Sequence, residues 1–381
     1  MTLRPILIGG GIGGLTAAIA LQRHGIDCTV YERAPELREV GAGITLWTNA
    51  THVLHRLGIG DRLEAVATPL RHSELRSWRG RLLSEMDLGQ LLVKFGHPTV
   101  GIHRADLQAV LADYFGRDRI VLGADCVGFH QDATGVTARF ADGREARGDV
   151  LIGTDGIKSA VRHQVVGPEP FRYRGCVAWR GVGIIDRPEV PLGTSLVAVG
   201  PRKHFGYLPI GGGRTYWFAT DNQPAGGSDT PGQTKAHLLR LFGDWYRPIP
   251  AVIDATDESA ILRGDIIDRK PITRWGEGRV TLLGDAAHPT TPFLGQGACM
   301  AIESASVLAD CLKAAYDPIS GLREYERKRF ARTAEITNTS WTLGRLFTLD
   351  SRFLNWGRDR LIGNLPGGGA GFTERLVRTE V

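Results

Sequence analysis

No uninterrupted apolar run in this sequence approaches the roughly 20 residues that carry a helix across a bilayer, so no spanning helix is predicted. Cysteine is scarce: Cys28, Cys126, Cys176, Cys299 and Cys311 are odd in number and widely spaced. With no Cys-x-x-Cys pair among them, they point to neither a disulfide framework nor a zinc site. Blocks of basic residues with interleaved aromatics are missing too. The 46 Lys+Arg against 41 Asp+Glu leave a formal charge of only +5, a surface that helps attract an anionic cofactor or substrate rather than nucleic acid. The opening residues lack a basic stretch followed by a cleavable apolar segment, and this predicts a cytoplasmic protein. No internal repeat is present.

What the chain has in abundance is glycine, 50 residues in 381, set in short loops where backbone can approach a ligand closely. The length suits two joined domains or one with an inserted lobe. Strand-like runs over 6–8 and 28–31 bracket a helix over about 13–24, with Leu15, Ala18 and Ile19 on one face and Gly25 as its stop. A helical run follows His103, with Leu107, Val110 and Leu111 in phase. Strands are predicted over 136–140 and 150–153, then over 176–183, 195–200, 204–210 and 215–220, the last two joined by Gly211-Gly212-Gly213. A short buried strand over 280–283 precedes a glycine-rich loop and a helix over about 297–315, whose core face carries Ala298, Ala301, Ile302, Ala305, Leu308 and Leu312. The tail beyond Trp356, with its glycine run over 366–371, is basic and predicts poor packing.

Gly9-Gly10-Gly11-Ile12-Gly13-Gly14 satisfies G-x-G-x-x-G through Gly9, Gly11 and Gly14, after a strand and at the start of a helix. The first glycine permits the tight turn, the second a close pyrophosphate, and the third close helix–strand packing. The helix tip's free N–H groups favour the diphosphate. Glu32, at the end of the next strand, is placed to accept from ribose hydroxyls, with Arg33 beside it. This fingerprint alone does not separate FAD from NAD.

A second site lies far along the chain. Asp285 follows a buried strand, where a carboxylate can accept hydrogen bonds from a polyol chain. Gly295-Gln296-Gly297 then leads into a helix tip suited to the negative charge at N1 and C2=O of a reduced isoalloxazine. Read alone, this stretch serves equally as a plain strand–helix connection.

These motifs, together with Arg104 in G-I-H-R-A-D-L and Asp155-Gly156 in G-T-D-G-I-K-S-A-V-R, carry a resemblance. In kind and in order they are similar to those of the class A, para-hydroxybenzoate hydroxylase-like FAD monooxygenases, over roughly residues 4 to 330. Within that family V-G-A-G-I at 40–44, Trp47, Asn49, W-R-G at 179–181 and G-Q-G-A-C at 295–299 resemble the salicylate, 3-hydroxybenzoate, 6-hydroxynicotinate and urate hydroxylase branch.

The resemblance implies an α/β fold: a Rossmann-like FAD-binding domain (1–72, 98–170, 274–340) with an inserted mixed β-sheet substrate domain (73–97, 171–273) and a helical or irregular tail (341–381). It implies one FAD, NADH or NADPH as reductant, and O2. A flavin C4a-hydroperoxide would then hydroxylate a small aromatic or heteroaromatic ring. An epoxidase or a non-oxygenating FAD oxidoreductase is the alternative. By the same resemblance Gly43 joins the cofactor set, Arg104 contacts the diphosphate–ribityl region, and Val127 meets the adenine through its backbone. Asp155 shapes the flavin and NAD(P)H sites, Pro292 lies near the flavin's reactive edge, and the Gly295, Gln296, Gly297 and Ala298 amides lie near N1 and C2=O. Ser304 stands where the family often has Asp, and Thr48 where Pro is common. His288 reads as a packed structural histidine.

For the substrate, a hairpin closed by Gly211–Gly213 that pairs Ile210 with Arg214 sets Leu208 opposite Tyr216. Alternation then puts His204, Gly206, Leu208, Tyr216, Phe218 and Thr220 on one face. That face suits a flat phenolic ring and serves equally as an ordinary mixed sheet surface. The resemblance adds that the phenol-hydroxylating branch has a His five residues before the strand's Pro, as His204 is to Pro209. The urate branch instead has Arg there and a polar residue at the position of Phe293. His204 is expected as a base titrating near neutrality, Tyr216 as an orienting group, and Leu208, Phe218 and Phe293 as an apolar wall. Trp47 joins the pocket, and Arg180 either binds a carboxylate or serves its own strand.

Overall fold

The computed structural model describes residues 3–37, 42–185, 190–364 and 370–378; Val40 and Gly41 of the 40–44 motif and most of the tail's glycine run lie outside them. A five-stranded parallel sheet runs in the order Val280–Leu282, Val150–Gly153, Pro5–Ile8, Thr29–Tyr31, Ile120–Val121. Its central strands are buried along their whole length, as a parallel sheet covered on both faces requires. The first helix, Ile12–Arg23, ends at Gly25, whose left-handed backbone closes the last turn onto the Gln22 carbonyl.

That helix lies against Gly297–Ala314. A side chain at Gly13 would come within 3.0 Å of Leu283 and 3.2 Å of Ala301, so the small residues let the two helices touch near their N-terminal ends. The 30-residue helix Pro318–Phe347 packs on the second of them, begun by Pro318 at its first position and by Asp317, which accepts from the Ile319 and Ser320 amides. It runs unbroken across residue 340.

The seven-stranded mixed sheet has the order Leu262–Asp268, Arg172–Ile184, Arg214–Asp221, Lys203–Pro209, Thr194–Val199, His72–Ser77, Leu82–Asp87. Strict alternation divides its residues between two faces. Trp179, Trp217, Phe205 and Ala198 pack under the helices Thr234–Phe242 and Pro248–Asp254, which the sequence reading did not foresee. In the tail Arg352–Gly363 and Ala370–Val377 are helical, and, against the expected poor packing, Leu376 and Val377 are buried. All five cysteines are free and buried.

One ionic cluster ties these parts together. Glu303, wholly buried, accepts from Arg329 (2.6 Å), from Arg332 (3.1 Å) and from Asn49 (2.6 Å). Burial by itself would raise its carboxyl, but the Arg329 and Arg332 charges outweigh that and hold it below the usual carboxylate range. Glu303→Gln leaves two buried cations short of their counter-ion, and we expect a loss of about 3–5 kcal/mol in chemical denaturation. His288 sits between the Trp275 ring and Ser304, and burial pushes its imidazole down to about 3 from 6.5. The folded state therefore binds fewer protons than the unfolded chain between these values, and stability falls as pH drops through that window. The thermal midpoint is expected to fall from about pH 6.5 downward, and His288→Asn to flatten the slope.

Candidate functional site

The glycine loop is shaped by the strand beside it. A side chain on Gly9 (φ +112°) would meet the Thr154 carbonyl at 2.5 Å, and one on Gly14 would meet the Gly9 carbonyl at 2.0 Å, whereas nothing lies within 4 Å of Gly11. Gly9 and Gly14 are thus demanded by packing within the protein, and Gly11 is open to whatever approaches the loop. The tip of Ile12–Arg23 has no side-chain cap, leaving its amides for an external acceptor. Glu32 reaches back with Oε2 to accept from the Gly10 amide (2.6 Å) and with Oε1 from Ala34 (2.9 Å), while Arg33 is exposed. Gln108, which the sequence reading missed, donates to the Gly10 carbonyl (2.9 Å). It lies one helical turn after Arg104, a spacing visible in the sequence.

Asp155 has a local task besides the one expected. Its two oxygens accept from Ser159 Oγ (2.5 Å) and from the amides of Ala160 (2.8 Å) and Val161 (3.2 Å), so it caps the helix Ala160–Val166; burial nevertheless holds its carboxyl above the usual range. Val127 is the extra residue of a bulge between Cys126 and Gly128. It stands outside the ladder and is exposed, its backbone turned from sheet pairing to other contacts.

At the second tip, Asp285 is reached by solvent yet hemmed in by protein. The crowding raises its carboxyl, and the Arg104 guanidinium opposes that rise. Arg104 opens the helix Arg104–Phe115, and its amide donates to Ala42 O (2.9 Å), beside the pair Gly43–His103. Pro292–Leu294 forms a single tight turn, Gly295 is left-handed (φ +62°), and the helix starting at Gly297 has no side-chain cap, with Ala298 half-buried in its first turn.

Three buried polar atoms cluster around this tip without a protein partner: Trp47 Nε1, Asn49 Oδ1 and Thr290 Oγ1. The Trp47 nitrogen is 3.2 Å from where a Gly295 side chain would begin, Thr290 borders Gly297, and Asn49 donates to Gln296 (3.1 Å). Orphaned polar atoms beside an uncapped helix fit a polar, planar, partly anionic ligand edge. The residues present therefore suit a dinucleotide at the first tip and a flavin ring at the second. Thr290 was not singled out by the sequence, since an isolated threonine in a loop has no periodicity to betray it.

The hairpin register is the expected one: Leu208 faces Tyr216, Gly206 faces Phe218 and His204 faces Thr220. Arg180 pairs with Phe218 on the same face and is exposed. Tyr216 packs so tightly on the strand Gly43–Leu46 that a Gly43 side chain would collide with it at 2.3 Å, and burial pushes its phenol up to about 12. The Phe293 ring lies 5.2 Å from His204, which also meets Phe218 (5.4 Å) and Phe347 (6.0 Å). His204 departs from expectation. It is 4% exposed, its Nδ1 is hydrogen-bonded to Thr220 Oγ1, and burial, assisted by the Arg358 charge, pushes it down to about 3. Such enclosure disfavours the protonated ring, which runs against the expected part of a base titrating near neutrality. Among the described residues no group of His, Cys, Asp and Glu could hold a metal ion.

Known proteins share this arrangement. The sequence profile described as FAD binding domain matches residues 3–340. The chain is 41% identical over 360 residues to an aurachin C monooxygenase/isomerase of Stigmatella aurantiaca, covering 94% of each protein. It is 38% identical over 357 residues to a 3-amino-4-hydroxybenzoate 2-monooxygenase of Streptomyces cremeus, covering 91% of this chain and 88% of the relative. The crystal structure of Klebsiella pneumoniae HpxO complexed with FAD and uric acid superposes with a TM-score of 0.92 at 36% identity, over 98% of this chain and 96% of that one. With the glycine loop, the second uncapped tip and the seven-stranded sheet all in place, the chain belongs to the FAD binding domain family, among the class A FAD-dependent monooxygenases.

Proposed function

We propose that this protein hydroxylates a flat, weakly polar aromatic or heteroaromatic ring, using NAD(P)H as reductant and O2 as the oxygen source. The observation that carries this reading is the meeting of Phe293 and His204. The loop that shapes the flavin-side helix tip there touches the apolar face of the seven-stranded sheet, so a ring on that face lies beside the cofactor's reactive edge. When bound, reduced FAD supplies the activation of O2, and the protein's own residues supply position and dryness.

The diphosphate is assigned to Gly9, Gly11, Gly14 and the tip of Ile12–Arg23, and the ribose to Glu32 with Arg33 at its border. Val127 takes the adenine through its backbone, and Arg104 and Asp285 take the diphosphate–ribityl stretch. Pro292, Gly295, Gln296, Gly297 and Ala298 line the isoalloxazine, with Trp47, Asn49 and Thr290 hydrogen-bonding at its edge. Asp155 acts by fixing the helix Ala160–Val166 rather than by direct contact. Leu208, Phe218 and Phe293 exclude water from the reacting centre. Tyr216, held protonated, orients the substrate as a donor, and Arg180 attracts an acidic substituent from the rim. His204, neutral and hydrogen-bonded to Thr220, acts as a fixed wall. The face is less polar than urate recognition calls for, which supports a carbocyclic or singly substituted ring.

Purified protein is expected to be yellow and to consume NAD(P)H and O2 in step when given the right aromatic compound from a panel, with a product heavier by one oxygen. Reductant consumption that no aromatic stimulates counts against the reading. With the His204 ring pushed down by burial and the Tyr216 phenol pushed up, ionisation of the ring is set by the substrate. The acid limb of kcat/KM should move with the pKa of substituted substrates and persist in His204→Gln. A limb near neutrality that disappears in that variant would restore His204 as the base.

A further inference from the structure

The helix Arg352–Gly363 is built inside out. Its inward arc is polar: Asn355, Arg358 and Asp359 are buried, Asn355 donating to the Leu349 and Ser351 carbonyls (2.8 Å each) and Arg358 pairing with Asp359 (2.8 Å). Its outward arc is apolar, with Phe353 75%, Leu354 52%, Trp356 56% and Leu361 65% exposed. At 100° per residue the four fall on one side of the helix, and the Phe353 and Trp356 rings are stacked with centroids 6.0 Å apart. Single exposed apolar side chains are ordinary, but four on one side of a twelve-residue helix, two of them stacked aromatics, are the mark of a docking surface.

The charge around the patch selects the partner. Arg352 and Arg360 are exposed on the same helix, with the Arg360 guanidinium 5.5 Å from the Trp356 ring. Arg81, 63% exposed, reaches Asp359 from the strand pair that packs on this helix. The nearby carboxylates are spoken for: Asp359 is turned inward to Arg358, and Asp350 is paired with Arg202 (3.4 Å). Aromatic and leucine side chains interleaved with the exposed Arg352 and Arg360 match an interface of apolar chains under anionic headgroups. Among the described residues no helix is long and apolar enough to cross a membrane, so the helix would lie on the surface.

We propose that Arg352–Gly363 docks the protein on an anionic lipid surface. The inward side of the same helix bears on the substrate face: Ile362 joins the apolar cluster that contains Phe293, and the Arg358 charge acts on His204. Docking therefore places the lipid on the outer side of a helix whose inner side adjoins the wall assigned to the substrate, a link that rests on the proposed function. Membrane binding itself does not depend on that assignment.

The test is flotation of FAD-loaded protein with phosphatidylcholine vesicles, with and without phosphatidylglycerol. Binding is expected with phosphatidylglycerol, weakened by salt, and at least about tenfold lower in Phe353→Ser/Trp356→Ser. Arg352→Gln/Arg360→Gln should lose the preference for the anionic lipid. Both variants should keep the flavin-to-protein ratio and the rate of NAD(P)H-driven flavin reduction, which excludes unfolding. Wild-type protein that floats with neither vesicle, or a serine variant that binds as wild type does, overturns the proposal. A dimer dispersed by Phe353→Ser/Trp356→Ser without lipid binding would overturn it as well, by assigning the patch to a second copy of the chain.

Discussion

The contact on which the rest depends is the approach of two helices through Gly13 on one and Ala301 on the other, with Leu283 at their side. Both helices begin in glycine-rich loops and neither has a side-chain cap, so each presents amides and the positive end of its dipole. Packed side by side, the two helices bring together stretches of sequence nearly three hundred residues apart. A larger residue at Gly13 would push the tips apart without altering either loop.

The approach is held from behind by charge. Glu303, in the same helix as Ala301, is gripped by Arg329 and Arg332 of the long helix and accepts from Asn49, which also donates to Gln296 at the tip. Arg332 donates in turn to the Leu376 carbonyl in the last helix. The flavin-side tip, the long helix and the tail are thereby one hydrogen-bonded unit. A buried carboxylate flanked by two guanidinium groups suits this role because each partner fixes the direction of the others.

The seven-stranded sheet follows another logic. The hairpin puts alternate residues on opposite sides, so one sequence pattern builds both a core of Trp179, Phe205 and Trp217 and a wall of Leu208, Phe218 and His204. Which side each set takes is decided by the helices Thr234–Phe242 and Pro248–Asp254, which cover the first. Once the second side is closed by Phe293 and Phe347, a histidine there is stripped of water and loses its affinity for protons.

Read alone, the sequence determined the local items: the glycine turn with its helix and following Glu32, the strand ahead of Asp285, the helix from Gly297, and the hairpin register around Gly211–Gly213. Each of these is fixed by near neighbours, through backbone freedom at glycine or through period. The helix Pro248–Asp254 escaped because Pro248 and Pro250 break its short apolar pattern, and the packing of the tail escaped because Arg352–Gly363 turns its apolar side outward. Only the tertiary structure decided that Asp155 accepts from the first amides of a helix, that Trp47, Asn49 and Thr290 converge on one tip, and that His204 is enclosed. Those properties belong to surroundings assembled from distant segments, and protonation and hydrogen-bond satisfaction depend on what surrounds a group rather than on what precedes it in the chain.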